Sequence, residues 1–252
     1  MKADISPRDI LLSLVLLTRL PIPALPDSSF ARQAQAVWAF PAVGMIVGGI
    51  AATIVVLAQW IGLSPAICAG LALLTMVCVT GAMHEDGLAD TVDGFWGGFT
   101  PERRLEIMKD SHIGTYGVLA LVLSLGLRWT ALFALIAAGN VLSVVAVAAL
   151  SRAMMPILML SLPNARNTGL AHRVGTPSRH PAGIALCCAA LLAWAALGLG
   201  PATLCLLISA GAVWALHYLA RAKVGGRTGD VLGATQQITE ILCLLALTAI
   251  SA

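Results

Sequence analysis

GTYGVLALVLSLGLRWTALFALIAA, residues 114–138, runs for five helical turns and more with a single charged side chain, Arg128. The hydrocarbon core of a bilayer is crossed by about 20 predominantly apolar residues in a helix. In that medium the backbone must satisfy its own hydrogen bonds, which an α-helix does within one segment. The stretch therefore reads as a transmembrane helix. Working outward, comparable runs occur at 36–61, 64–83, 139–162, 181–199, 201–220 and 231–251. The expectation is an all-α, polytopic membrane helix bundle with about seven transmembrane helices. Composition agrees: 59% of the 252 residues are hydrophobic and 11% charged, where soluble domains carry roughly a quarter charged residues. Mean hydropathy is +0.91. The lipid bilayer is thus the first partner the sequence implies.

DILLSLVLLTRLPIP, residues 9–23, is stopped too soon by Arg19, Pro21 and Pro23 to cross, and it lacks a small-residue cleavage site. An interfacial or re-entrant helix is expected there rather than a signal peptide. The six cysteines all lie in apolar runs without Cys-x-x-Cys spacing and read as small buried hydrophobes. Net charge is +3 with the bases dispersed, so nucleic acid is excluded as a partner.

The charged connections are 84–113, 163–180 and 221–230, while the alternate ones, around IGLSP, AAGN and LGLGP, hold no charge. Apolar segments come in pairs between the charged loops, so these loops and the N-terminus emerge on one side. Of the 15 lysines and arginines only Arg128 and Arg152 fall elsewhere, and the positive-inside rule makes the side carrying the rest, from Lys2 to Arg227, cytoplasmic. Polar chemistry is confined to that face. Arg128, Arg152, Asn140 and Glu240 are the intramembrane exceptions, candidates either for a structural pair with Glu240 or for substrate contact.

On the charged face HEDGLADTVDGFWGG, residues 84–98, gathers Glu85, Asp86, Asp90 and Asp93, four of the twelve acidic residues in the chain. Asp86, Asp90 and Asp93 stand at i, i+4 and i+7, on one face of a helix. Carboxylates that close repel unless a cation neutralises them, and oxygen-only ligands favour a hard ion such as Mg2+, usually shared with substrate phosphates. Glu85 points away from this stripe and is the weaker ligand. His84 is a candidate general base. A solvated acidic loop is the alternative, but no base interrupts the run from Glu85 to Glu102.

ERRLEIMKDSHIGTYG, residues 102–117, reads as an amphipathic helix capped by Gly114. Lys109 and Ser111 stand before a Gly-x-x-Gly turn suited to phosphate oxygens. GGRTGDVLGATQQITE, residues 225–240, places glycines at the opening of the last helix, where backbone amides attract anions and Arg227 and Thr228 add donors. It is not a P-loop. Asp230 could join the metal cluster, act as a base or cap the helix. Aspartates beside phosphate-friendly loops suggest metal-assisted transfer of a phosphoryl-type group to or from a membrane-associated substrate.

These motifs, with LSRAMMPILM at 150–159 and LLTRLPIP at 16–23, occur in one order along essentially the whole chain and resemble cobalamin synthase, the adenosylcobinamide-GDP ribazoletransferase family. The resemblance implies one integral-membrane transferase domain over residues 1–252, in the bacterial inner membrane with its active face cytoplasmic. It implies Mg2+-dependent joining of GDP-activated adenosylcobinamide, a corrinoid nucleotide, to α-ribazole or its 5′-phosphate, with release of GMP. The nucleophile is taken as the ribose 5′-hydroxyl. By the same resemblance Asp86, Asp90 and Asp93 hold the metal, with Glu85 as a further ligand, and Lys109, Ser111, Gly225, Gly226, Arg227, Thr228 and Asp230 contact substrate. The proton acceptor is open among Asp93, His84 and Asp230, and a homo-oligomer is left open too. His112 departs from the arginine expected there in the family.

Two rivals are weighed. A CDP-alcohol phosphotransferase also uses spaced aspartates, but Asp90 stands where its arginine belongs and the leading aspartate is missing. A divalent-cation transporter with Asp86, Asp90 and Asp93 at its mouth needs polar groups along several crossings, and the sequence has few.

Overall fold

The computed structural model describes residues 5–251, so Lys2 lies outside the described residues. Among the described residues twelve α-helices follow one another: α1 (Arg8–Leu17), α2 (Gln33–Ala36), α3 (Phe40–Trp60), α4 (Pro65–Thr80), α5 (Met83–Gly97), α6 (Pro101–Ile107), α7 (Thr115–Ala137), α8 (Leu142–Ser161), α9 (Leu170–Val174), α10 (Arg179–Leu197), α11 (Leu199–Val224) and α12 (Gly229–Ser251). Six of them, α3, α7, α8, α10, α11 and α12, are long and apolar enough to cross a membrane. The protein is a multi-pass helical membrane protein, as its apolar runs predict.

The seventh expected crossing, 64–83, is built differently. Its helix α4 has 16 residues, about 24 Å at 1.5 Å per residue, and then breaks. Gly81 and Ala82 both adopt left-handed backbone, with φ of +65° and +57°, a conformation glycine takes readily and alanine does not. The chain turns by 86° into α5. A seventh span exists only if this bent pair is counted as one.

The bundle is organised around α8, the most buried of the six long helices. Small residues set its closest contact: a Cβ added at Gly44 of α3 would overlap the backbone at Ala148, and one at Gly48 would stand 2.8 Å from the Cα of Val145. Such close approach of backbones is how membrane helices gain dispersion energy, since lipid tails are as apolar as leucine. The connections at 61–64, 138–141 and 198 carry no charge, so the charged residues outside the bundle interior gather at the opposite end. Asn140 lies exposed in the α7–α8 turn and not within a helix, which corrects the expectation for that residue.

At the charged end α1 is too short to cross, in keeping with an interfacial helix. It is pinned by Asp9, which accepts hydrogen bonds from Arg32 Nε (3.2 Å) and Trp38 Nε1 (3.0 Å). The helix expected over 102–117 stops at Ile107. Its start is capped by Thr100, whose hydroxyl accepts from Arg103 N. Residues 109–114 instead form a loop in which Asp110 folds back to accept from His112 N at 3.1 Å, the local side-chain bond by which aspartate competes with helix.

Candidate active site

The acidic stretch lies on α5, so the i, i+4, i+7 stripe is a helical face, and burial grades along it. Asp86 is exposed, Asp90 is half-buried and Asp93 is buried. Position is set by a close crossing with α12. A Cβ at Gly87 would stand 2.8 Å from the carbonyl oxygen of Asp230, and one at Gly233 would stand 3.3 Å from the Cα of Gly87. Only glycine lets these backbones meet, and their meeting brings Asp86 and Asp90 into the field of Asp230. The like charges of Asp86, Asp230 and Asp93 act on Asp90, with Arg166 as the opposing cation.

The four carboxylates of the stretch have separate surroundings. Glu85 is paired with Arg128 at 2.8 Å, and Arg128 also pairs with Glu240 at 2.7 Å. Gln237 donates to Glu85, and Gln236 donates to Glu240. Two arginines, Arg128 and Arg152, and two glutamates, Glu85 and Glu240, are thus buried together, balanced in charge. Such a group is costly to break, because any survivor is an unpaired charge in a low-dielectric interior. Asp93 accepts from the backbone amides of Gly114 (2.7 Å) and Gly117 (2.8 Å). It holds the first turn of α7, where unpaired amides and the helix dipole favour an anion. A Cβ at either glycine would overlap the Asp93 carboxylate. The Gly-x-x-Gly turn expected to bind phosphate is therefore occupied by a protein carboxylate. Asp86 and Asp90 are reached by no side-chain donor among the described residues.

Asp86 stands between two cavities. An outer cleft of about 400 Å³ is lined by Asp86, Asp90, Lys109, Asp110, Ser111 and His112. An inner cavity of about 240 Å³ is lined on its polar side by Asp86, His84, Arg166 and Asp230. Arg166 Nη2 donates to Asp230 at 3.1 Å, while its Nη1 is buried without a partner. His84 is 2% exposed, and its Nε2 also lacks a partner among the described residues. In the outer cleft, hydrogen bonding to Asp110 at 2.6 Å holds the His112 imidazole above its usual range, and the same bond holds Asp110 below the usual carboxylate range.

The structure thus gathers Asp86, Asp90, Lys109 and Ser111 in one cleft, and His84, Asp86 and Asp230 in the next. It places Gly225, Gly226, Arg227 and Thr228 outside both. Gly225 ends α11 in left-handed backbone, and Gly226 packs under 163–165. Arg227 is buried and donates to the carbonyls of Met159, Leu162 and Gly175 and to Thr176 Oγ1. Thr228 caps α12 by accepting from Val231 N. Arg166 is the residue that sequence reasoning missed. In the sequence it is one more base on a polar loop, and its partner Asp230 is brought to it only by the fold.

Among the described residues no three His, Cys, Asp or Glu side chains are grouped closely enough to hold a metal ion by themselves. Asp86 and Asp90, one turn apart and open to a shared cleft, fit the sparser arrangement in which one or two carboxylates hold Mg2+ together with substrate phosphates.

The model of the family described as cobalamin-5-phosphate synthase matches residues 9–248. The chain belongs to the cobalamin-5-phosphate synthase family. An adenosylcobinamide-GDP ribazoletransferase from Bradyrhizobium diazoefficiens is 43% identical over 238 residues, 94% of this chain and 92% of that protein. One of the same name from Mesorhizobium japonicum is 42% identical, covering 96% and 94%, and one from Brucella melitensis is 39% identical, covering 95% of each. No solved structure matches the chain. Membership in the cobalamin-5-phosphate synthase family makes this an enzyme, a transferase by the name its relatives share, and the matched region takes in both cavities and all the helices around them.

Proposed function

We propose that the protein transfers adenosylcobinamide phosphate from adenosylcobinamide-GDP to α-ribazole or its 5′-phosphate, with release of GMP. The observation that carries this reading is Asp86, shared by a phosphate-friendly cleft and a second cavity holding His84, Arg166 and Asp230. One substrate on each side would bring a diphosphate and a hydroxyl together at that carboxylate. The names of the relatives supply the identities of the two substrates.

In balanced form, an oxygen of the acceptor ribose bonds to the phosphorus nearest cobinamide. The bond from that phosphorus to the bridging oxygen breaks, GMP leaves with the electron pair, and the hydroxyl gives up its proton. An acceptor phosphorylated at the 5′ position has no free 5′-hydroxyl, so a hydroxyl serving both acceptors lies elsewhere on the ribose. That replaces the 5′ nucleophile expected at first. Lys109 and Ser111, exposed on the loop, bind outer phosphate oxygens. Asp86 and Asp90 would hold Mg2+, which when bound neutralises the diphosphate and the charge developing on the leaving phosphate. Of the three candidates to receive the proton, Asp93 is engaged by two amides and Asp230 by Arg166. His84 Nε2 has no partner and accepts the hydrogen bond of the attacking hydroxyl.

The active face is cytoplasmic and the membrane the bacterial inner membrane on the same reading, supported by the bases clustered at the charged end. Arg128 is tied to Glu85 and Glu240 and Arg152 to the Ala148 carbonyl, so the interior charges are engaged within the bundle, which disfavours transport. The test is GMP release by protein purified into lipid and given both substrates with Mg2+. No release with any divalent metal overturns the proposal, and metal uptake by liposomes without nucleotide would favour the transporter.

A further inference from the structure

We propose that the inner cavity behind Asp86 is the seat of the acceptor nucleoside, with its flat base against the apolar wall and its sugar toward His84 and Arg166. This rests on the transferase reading above. Size is the first argument. At about 240 Å³ the cavity lies just under the range of about 300–1,000 Å³ typical of small-molecule pockets. A corrin macrocycle with its nucleotide cannot be enclosed there, whereas an aromatic base on one sugar is of the right order.

The second argument is the division of its wall. Phe40, Met83, Met155, Leu170 and Leu232 present apolar surface from five different helices. A ring stripped of water gains from such a lining in proportion to the area it buries, and thioethers adapt to an aromatic face. A diphosphate would gain nothing from it. The polar lining is His84, Asp86, Arg166 and Asp230, and among the described residues His84 Nε2 and Arg166 Nη1 are unmet polar atoms shut off from solvent just behind that lining. A buried polar atom without a partner costs free energy, so a side-chain turn that brings either atom onto a sugar oxygen is favoured once the sugar is seated. His84 offers an acceptor to a hydroxyl and Arg166 offers a donor to an oxygen, the complementary pair that a ribose presents.

The third argument is connection. Asp86 belongs to both cavities, so a sugar held beside His84 lies one side chain away from phosphates held beside Asp90 and Lys109. The base then serves as an anchor remote from the reacting atoms, and its binding energy orients the hydroxyl.

The test uses the full chain in lipid and reads KM for each substrate separately. For the wild type, a riboside lacking the aromatic base should show an acceptor KM raised by about 10–200-fold, with donor KM unchanged. Ala171 is 5% exposed and lines the inner cavity. Ala171→Phe fills that space and should raise the KM for α-ribazole about tenfold or more, the loss of one good apolar contact, while donor KM stays at the wild-type value. Leu170→Ala enlarges the same wall at a partly exposed site and guards against an Ala171→Phe protein that does not fold. It should shift preference toward an acceptor with a larger, tricyclic base. If Ala171→Phe raises the KM of the donor instead, or Leu170→Ala leaves base preference unchanged, the assignment of the cavity is wrong while the transferase reading stands. If the wild type releases no GMP with any acceptor, the transferase reading itself fails.

Discussion

Replacing Asp93 with asparagine separates two roles that the acidic stretch offers this carboxylate, metal ligand and helix anchor. Both of its oxygens accept backbone N–H groups, at 2.7 Å from Gly114 and 2.8 Å from Gly117. Hydrogen bonds to a charged group contribute about 1.5–3 kcal/mol each. Asparagine keeps one acceptor oxygen and turns an NH2 group toward the other amide, so at least one bond is lost and a donor faces a donor. A loss of about 2 kcal/mol lowers the unfolding midpoint by roughly 4–8 °C in a chain of this size. Asp90→Asn should behave in the opposite way. It removes a charge repelled by Asp86, Asp230 and Asp93, so the midpoint should hold or rise while GMP release falls by about 100-fold or more, the scale of losing a group that stabilises transition-state charge. Thermal unfolding in detergent, followed by tryptophan fluorescence, is read beside a Mg2+ titration of GMP release. An Asp93→Asn protein as stable as wild type but needing tenfold more Mg2+ would refute the reasoning, since Asp93 would then be a ligand.

Other perturbations follow from the same geometry. Arg128→Met leaves two buried glutamates against Arg152 alone and should cost about 3–5 kcal/mol, with the double variant that adds Glu85→Gln, which restores the charge balance between Arg152 and Glu240, recovering much of it in the same unfolding assay. Gly87→Val drives a side chain into the Asp230 backbone and should cost about 1–3 kcal/mol by overpacking as well as most GMP release. Gly229→Ala is the control, because its Cβ would meet nothing nearer than 3.8 Å. His112, raised by its bond to Asp110, should keep its proton at pH values where an ordinary histidine is neutral. That contribution is present at low pH and lost as pH rises through the raised value, and Asp110→Asn should return the histidine titration, followed by NMR, to its usual range.

The sequence made the long helices legible because one property, apolar length, decides them. Residues 139–162 and 231–251 became α8 and α12 almost to the residue. The break at Gly81–Ala82 was hidden, because the apolar run continues through it and left-handed backbone at an alanine leaves no mark in composition. At the site, the spacing of Asp86, Asp90 and Asp93 showed the helical face, but spacing says nothing of what stands opposite. Asp93 meets amides from α7 and Glu85 meets Arg128, contacts between distant segments that only the packing creates. The motif around Arg227 drew notice for its glycines and its base, and these serve to tie α11 and α12 to the 159–176 segment. Arg166, without a motif around it, was placed at the inner cavity by the same packing.

The buried charges have a consequence for how the chain is made. The turns at 138–141 and 198 carry no charge, so α7–α8 and α10–α11 can each insert as a hairpin without dragging a charged loop through the bilayer. Yet α7 brings in Arg128 and α8 brings in Arg152, and an arginine at mid-helix costs about 2.5–3.5 kcal/mol on insertion scales. Glu240, which pairs with Arg128 at 2.7 Å, lies on α12, which leaves the ribosome after α5, α7 and α8. Until it arrives, the bundle holds more positive charge than negative. A chain cut before Gly229 would be left with that imbalance, so the arrival of α12 is itself the step that neutralises the interior and closes the floor beneath the acidic helix.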